Sequence, residues 1–375
     1  MTPEYEVRVF DIRSGTVLAE LGWSDISWDR SLNDRESAQV TCPIDITGRG
    51  AWSDLSSASM LRGISTGLWR FGLAILWGNY VCWAGPIVTA KPGVASVQFG
   101  ATGLLGLFNR RRLMVYGAVD PAAASATVRF TGRSLAGIAQ GIVQQSTAEY
   151  GRALPLDYLP ITLEGEHERT YNGYDYKSAG EALTQLSEVI DGPDFAFDPI
   201  LVRTDADERI RWQVRIGEPR LGDKKRPITW DYGTSLRELE MDIDGSSMTS
   251  YVAVPGDGQE NAKIFGTAYT NELVDLGWPP LEDVNSEHSS NSNRTQLNSY
   301  AAAHLAAHKR PLVSWSATVD PALEPRLGTW RLGDWGRFDV SGHPMVDGAL
   351  TSRITAVSYR QGLLDLTLTT TMQEV

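Results

Sequence analysis

One stretch constrains the fold more than any other, since only Leu68–Val88 (LWRFGLAILWGNYVCWAGPIV) is long and apolar enough to consider for a membrane span. A transmembrane helix needs about 20 mostly apolar residues, and Arg70, Pro86 and three glycines interrupt this run. Gly78-Asn79 divides it into two aromatic-rich halves, a pattern typical of a β-hairpin. We therefore predict a hairpin here and no membrane span.

The other segments of the first 112 residues have the same character. Short alternating stretches are separated by turn residues, which indicates a β-sandwich or barrel. The strands are predicted at Tyr5–Ile12, Thr16–Leu21, Ile26–Trp28, Ala38–Pro43 and Ala95–Gly100.

Helical patterns enter between residues 113 and 227. Arg133–Tyr150 has an apolar stripe at helical spacing. A second helix is predicted from Ser178, whose hydroxyl and the Glu181 carboxylate form a capping-box pattern, with a buried stripe that continues to Ile190. A strand, a turn and a strand follow over Asp194–Ile216, so this region is predicted to be a small α+β insert.

The β pattern returns at residue 228 and is interrupted by one helix at 294–309. Strands are predicted at Leu236–Ile243, Ser250–Pro255, Val313–Val319, Thr329–Val340, Leu350–Arg360 and Leu363–Thr371. We predict three domains: 1–112, completed by 228–245, as a first β domain; 113–227 as the α+β insert; and 246–375 as a second β domain.

Two short matches suggest an internal duplication. Ile26–Asp29 (ISWD) resembles Ile228–Asp231 (ITWD), and Val119–Ala122 (VDPA) recurs as Val319–Ala322. The offsets are nearly equal, at 202 and 200 residues, which favours a repeated β domain.

Composition excludes several classes of protein. The formal charge is −12, which argues against a general nucleic-acid binder with a basic face. With two cysteines, Cys42 and Cys82, a disulfide scaffold is excluded. The polar, acidic N-terminal residues show no signal-peptide pattern.

Two groups of residues have spacings that could bind a metal ion. His304 and His308 are four apart on the predicted helix, but Leu305 stands where a metalloprotease has its glutamate, so packing histidines are the alternative. Glu164, Glu166 and Glu168, beside His167, would share one face of a strand and could hold a cation, or form a solvated surface.

The other candidate motifs give weaker evidence of a binding or catalytic function. The glycines of Gly100–Gly106 lack the dinucleotide-binding spacing, and Asp205–Glu208 matches a turn and not a calcium loop. Arg110–Arg112 could contact phosphate or an acidic partner, or lie at a solvated domain junction. We predict no catalytic, cofactor-binding or metal-binding residues, and an assembly component in place of an enzyme.

Specific segments resemble phage tail hub proteins, in the order in which that family has them. They are Ile26–Asp34 with Ala38–Val40, the hairpin ending Val81–Val88 (VCWAGPIV), Tyr251–Gly256 (YVAVPG), Leu332–Phe338 (LGDWGRF), and a last hairpin from Arg353–Val357 to Leu364–Thr370. The chain resembles a minor tail protein of the baseplate-hub class, of the kind found in siphophages of actinobacterial hosts.

The resemblance implies a homotrimer at the tail tip of the virion, made in the host cytoplasm. Two tube-type domains per chain would form a pseudo-sixfold ring that adapts a sixfold tube to a threefold tip. Its implied partners are the distal tail protein or tail tube, the tape-measure protein and tip or fibre proteins. Phage DNA would pass through it without specific binding.

Two other functions remain open from the sequence. A β-rich tip protein could bind a host receptor or carbohydrate through clustered tryptophans. A hydrolase could act on the host envelope through Glu164–Glu168 or a serine–histidine site.

Overall fold

The computed structural model describes residues 5–44, 57–115, 120, 122–149, 151–343, 346, 348–360 and 362–369. Their mainly β architecture, in large antiparallel sheets, confirms the predicted fold class. Contacts divide the chain into a larger unit, Met1–Leu239 with Ser316–Thr369, and a smaller unit, Glu240–Trp315 with Thr370–Val375. Across the described ranges, no helix has the length and apolar character that crossing a bilayer requires.

The first part of the larger unit is built from short antiparallel strands. Its elements are β1 (Tyr5–Asp11), β2 (Val17–Leu21), β3 (Asp25–Ser31), β4 (Ser37–Pro43), α1 (Ala58–Thr66), β5 (Phe71–Trp77), β6 (Tyr80–Pro92), β7 (Ser96–Thr102) and α2 (Leu104–Phe108). The predicted hairpin is confirmed as β5–β6, where Gly78 adopts φ 60° at the turn, a conformation that glycine reaches without steric cost.

The α+β region follows in the same unit. Its elements are β8 (Val128–Arg133), α3 (Leu135–Thr147), β9 (Leu156–Tyr158), β10 (His167–Tyr171), α4 (Ala179–Ser187), β11 (Phe195–Arg203) and β12 (Glu208–Ile216). The order β11–β12–β9 forms one small sheet, and β8 pairs with β10.

The start of α4 is predicted correctly only in part. The Ser178 hydroxyl accepts a hydrogen bond from the Glu181 amide, as a cap requires. The Glu181 carboxylate pairs with Lys177 at 2.7 Å, and does not return to the backbone as predicted. The predicted buried stripe is wrong at Ile190, which is 91% exposed because the helix ends at Ser187.

The remaining elements complete both units. They are β13 (Ile228–Asp231), β14 (Leu236–Asp244), β15 (Tyr251–Pro255), β16 (Phe265–Tyr269), α5 (Glu272–Asp275), β17 (Glu282–Val284), α6 (Arg294–His308), β18 (Leu312–Val319), β19 (Trp335–Val340), β20 (Gly348–Arg360) and β21 (Leu363–Thr369). The strand predicted at Thr329–Val340 is shorter, because Gly333 takes φ 90° in a turn that delays its start to Trp335. Residues 370 and 371, predicted in the last strand, lie outside the described residues.

One large sheet joins strands from the two ends of the sequence. Its order is β14–β18–β21–β20–β3–β4–β7–β6–β5–β1–β2, with β19 on β20 and β13 on β19. The segment 228–245, expected to complete the first domain, pairs through β13 with β19 and through β14 with β18. The three-domain division itself stays a prediction.

The main core explains why the hairpin is apolar along its whole length. Ala74, Leu76, Val81 and Ala84 pack into one cluster with α2, α3, α4, β11 and β12. Leu73, Ile75 and Trp83, at alternate positions of the same strands, are also buried. Strands that are covered on both faces need apolar residues at every position, so most of the apolar run 68–88 lies at the centre of the core of the larger unit.

The smaller unit has a core of its own. The sheet β16–β15–β17 carries Val252 and Val254 against Leu297, Ala301 and Leu305 of α6. At Gly266 the helix backbone comes so close that a Cβ atom would lie 2.2 Å from the Leu297 carbonyl carbon. Glycine therefore sets the distance between this helix and its sheet.

Candidate functional site

The two histidines of α6 are engaged with protein groups. His304 Nε2 lies 2.7 Å from an Asp283 carboxylate oxygen, and its Nδ1 lies 3.3 Å from the Asn285 amide nitrogen. His308 Nδ1 donates to the His304 carbonyl oxygen at 2.9 Å, and the two rings stack with centroids 4.3 Å apart. These contacts favour the packing role over a zinc pair.

The acidic residues 164–168 do not share a strand face. Only His167 and Glu168 of this group lie in β10, while Glu164 forms an isolated bridge with Arg133. All four side chains are exposed. In the part of the chain that the structure describes, no three His, Cys, Asp or Glu side chains are placed to hold a metal ion.

Arg111 and the two cysteines, which the sequence also singled out, have structural roles. Arg111 donates to the carbonyl oxygen of Ser146, in the last turn of α3, and to that of Arg152, beyond its end. Cys42 and Cys82 are buried and unbonded to each other, and burial raises the pKa of the Cys42 thiol to about 12. A thiol with so high a pKa is unreactive at neutral pH.

The sequence analysis missed a buried cluster of four charged side chains, the Asp198 cluster: Arg30, Glu36, Asp198 and Arg215. Arg30 donates to Glu36 at 3.0 Å and to Asp198 at 2.8 Å, and Arg215 donates to the other Asp198 oxygen at 2.6 Å. Both arginines also bond backbone carbonyls, Arg30 that of Phe197 and Arg215 that of Leu332.

This cluster connects parts of the chain that are far apart in sequence. It joins β3 and the turn before β4 to β11 and β12 of the α+β region, and to the turn before β19. Burial alone raises the pKa of the Asp198 carboxyl, but Arg30 and Arg215 together hold that pKa below its usual value. Asp198 therefore stays ionised, and its charge fixes the α+β region to the large sheet.

A second buried carboxylate stabilises the same junction between the α+β region and the large sheet. Asp194, which is fully buried, accepts hydrogen bonds from the Asn33 side chain at 3.1 Å and from the Leu221 amide at 3.0 Å. Arg353 of β20 also donates to it. The Asn33 side chain in turn accepts from the Phe195 amide at 2.7 Å, so one side-chain pair aligns the β3–β4 turn with the start of β11.

Glu36 should make stability depend on pH. Burial, opposed by Arg30, raises the pKa of Glu36 from about 4.5 to about 7. The folded chain then binds this proton more tightly than the unfolded chain. We expect a stability contribution that is complete below pH 4.5 and declines, by on the order of 2–3 kcal/mol, as the pH rises to 7.

Urea unfolding between pH 4.5 and 8 measures this effect. The Glu36→Gln variant, which has no proton to lose, should show a flatter profile over that range. Equal slopes in the two proteins would contradict the assignment.

A sequence signal for the cluster does exist. In Phe195–Leu201 (FAFDPIL) a single carboxylate stands inside an apolar strand, and such a charge needs a partner when it is buried. The partner could not be identified from the sequence, because Arg30 is 168 residues away.

Two solved structures are similar to this chain along almost its whole length. The 43 kDa tail protein of prophage MuSo2 from Shewanella oneidensis has a TM-score of 0.59 at 11% identity, over 97% of this chain and 98% of that one. A tail protein from Neisseria meningitidis MC58 has a TM-score of 0.55 at 12% identity, over 97% and 96%. The chain has the phage tail-protein fold. No family model and no curated protein sequence matches it.

The large sheet of this chain has three terminal strands, β2, β13 and β14, each with a single neighbouring strand in that sheet. Along β14, exposed Met241 and Ile243 alternate with the exposed carboxylates Glu238, Glu240, Asp242 and Asp244. A terminal strand offers unpaired backbone groups to another chain. In this tail-protein fold, the sheet ends are therefore surfaces suited to assembly.

Proposed function

We propose that this chain is a structural virion protein, the homotrimeric hub at the tail tip of a siphophage. Three copies would form a pseudo-sixfold ring that closes or extends the tail tube, adapts it to a threefold tip, and forms part of the DNA ejection channel. The end-to-end match to two phage tail proteins is the observation that carries this proposal.

The sheet ends support a ring. A closed ring needs heterologous contacts, in which one face of a copy meets a different face of the next. The strands β14 and β2 are different surfaces at opposite ends of one sheet, so contacts through them meet this condition. The exposed carboxylates of β14 and the net charge of −12 suit a channel wall that repels DNA phosphates.

The expected partners are those of a tail tip. The hub would contact the distal tail protein or tail tube on one side and tip or fibre proteins on the other, and the tape-measure protein during assembly. The large buried junctions and the inert thiols fit a rigid scaffold better than an enzyme.

The oligomeric state tests the proposal directly. Light scattering on the purified protein should give three times the 41.1 kDa mass of one chain, and microscopy should show hollow rings. Ile243→Lys, at the sheet end, should reduce the trimer fraction because it places a charge in the contact. Ile190→Lys, at a residue outside the sheet, should leave it unchanged. A monomer that forms no ring even with tail-tube protein would contradict the proposal.

A further inference from the structure

One face of the smaller unit's sheet carries mostly exposed side chains, which no described element covers. Since Val252 and Val254 point toward α6, alternation places the neighbouring residues on the opposite side. We call this side the open face. Ala253 is half-buried there and Pro255 is buried, and its exposed members are Tyr251, Phe265, Thr267, Tyr269, Glu282 and Val284.

The open face is apolar where a solvated sheet is normally polar. Tyr269 is 72% exposed, Val284 60% and Phe265 44%. Tyr251 pairs directly with Tyr269 across β15 and β16, so the two residues are cross-strand neighbours on this face. Tyrosine and phenylalanine are enriched at the centres of protein interfaces.

The small core of this unit also favours a partner on the open face. Its cluster of buried apolar residues has five members, Val252, Val254, Leu297, Ala301 and Leu305. A core of this size gives little stability to a segment of this length. A partner layer on the open face would add a second core on the other side of the same sheet.

Charge indicates the chemistry of the partner. Residues 240–315 contain ten carboxylate and four basic side chains, so this fifth of the chain carries −6 of the total −12. Two of the basic residues, Lys309 and Arg310, both pair with Glu272. Glu282 lies on the open face itself, beside Tyr251 in register. Another copy of this chain would bring the same acidic surface, and like charges disfavour that contact.

We propose that the open face binds a different tail protein, whose surface has an apolar centre surrounded by arginine and lysine side chains. This inference rests on the proposed function, because it names a partner within the assembled tail. The open face becomes the interface core, and the surrounding carboxylates pair with the basic rim.

Photo-cross-linking in the virion tests the inference. Benzoylphenylalanine is placed at Thr267, in the middle of the open face, and at Val94, an exposed control in the larger unit. Irradiated particles should yield a Thr267 cross-link to a basic peptide of another tail protein, and the Val94 position should not link to that peptide. Glu282→Lys should lower the Thr267 yield at least about five-fold, and Glu324→Lys, at an exposed site of the larger unit, should not.

Three outcomes would overturn it. A Thr267 link to a second copy of this chain shows that the partner is wrong. Particles that contain the chain but give no Thr267 link show that the open face is not an interface. Particles without the chain contradict the proposed function, and this inference with it, so the two failures are distinguishable.

Discussion

Asp198→Asn should destabilise the larger unit by about 3–5 kcal/mol, because it removes the one carboxylate that both buried arginines share. The Asn side chain keeps the shape but carries no charge. Arg30 and Arg215 would remain buried with only Glu36 to offset two positive charges. Chemical denaturation followed by tryptophan fluorescence measures the loss, since Trp212 is buried in the core and pairs with Pro199, the residue after Asp198.

A matched exposed carboxylate gives the control for this change. Glu324 pairs with Arg326 on the surface, where both side chains are more than half exposed. Ion pairs of that kind contribute about 0–1 kcal/mol, so Glu324→Gln should shift the midpoint little. An effect of Asp198→Asn as small as that of Glu324→Gln would show that the Asp198 cluster does not hold the junction.

Gly266→Ala should unfold the smaller unit while the larger unit stays folded. The added Cβ would meet backbone atoms of Leu297 and Asn298 at 2.2–2.5 Å, and neither the strand nor the helix backbone can move aside cheaply. Overpacking costs about 1–3 kcal/mol, occasionally more, and the five-residue core of this unit has little stability to lose. Amide hydrogen exchange should lose its protection over residues 251–308 and keep it over β5 and β6.

Gly63→Ala in α1 is the control for the Gly266 variant. A Cβ at Gly63 meets no atom within 4 Å, and alanine favours the helix by about 0.5–1 kcal/mol over glycine. Exchange in the Gly63 variant should match that of the natural chain. Normal protection over residues 251–308 in the Gly266 variant would mean that α6 is not packed on β16 as described.

Turn residues and helix caps made many of the individual strands and helices predictable from the sequence. The β5–β6 hairpin followed from a glycine-containing turn between apolar runs, and the start of α4 followed from Ser178. The length of the buried stripe did not, because the sequence pattern continues to Ile190 while the helix stops earlier. Which strands share a sheet was also beyond local patterns, since β3 pairs with β20 from the far end of the chain.

The apparent duplication has a local explanation in one of its two matches. The Asp120 side chain accepts from the Ala122 amide at 2.8 Å, and Asp320 accepts from the Ala322 amide at 3.0 Å. Asp120 and Asp320 thus make the same bond to the amide two residues ahead, which aspartate favours as a local interaction. The match at Ile26–Asp29 and Ile228–Asp231 differs, since β3 pairs antiparallel with β20 whereas β13 pairs parallel with β19.

The pairing of β3 with β20 has a consequence for synthesis. During translation β3 emerges about 320 residues before β20, its partner. Contacts between such distant segments form slowly, because a long loop must close first. Until then one side of β3 remains available for wrong pairing. The large sheet of a chain therefore cannot be complete until β20 has emerged.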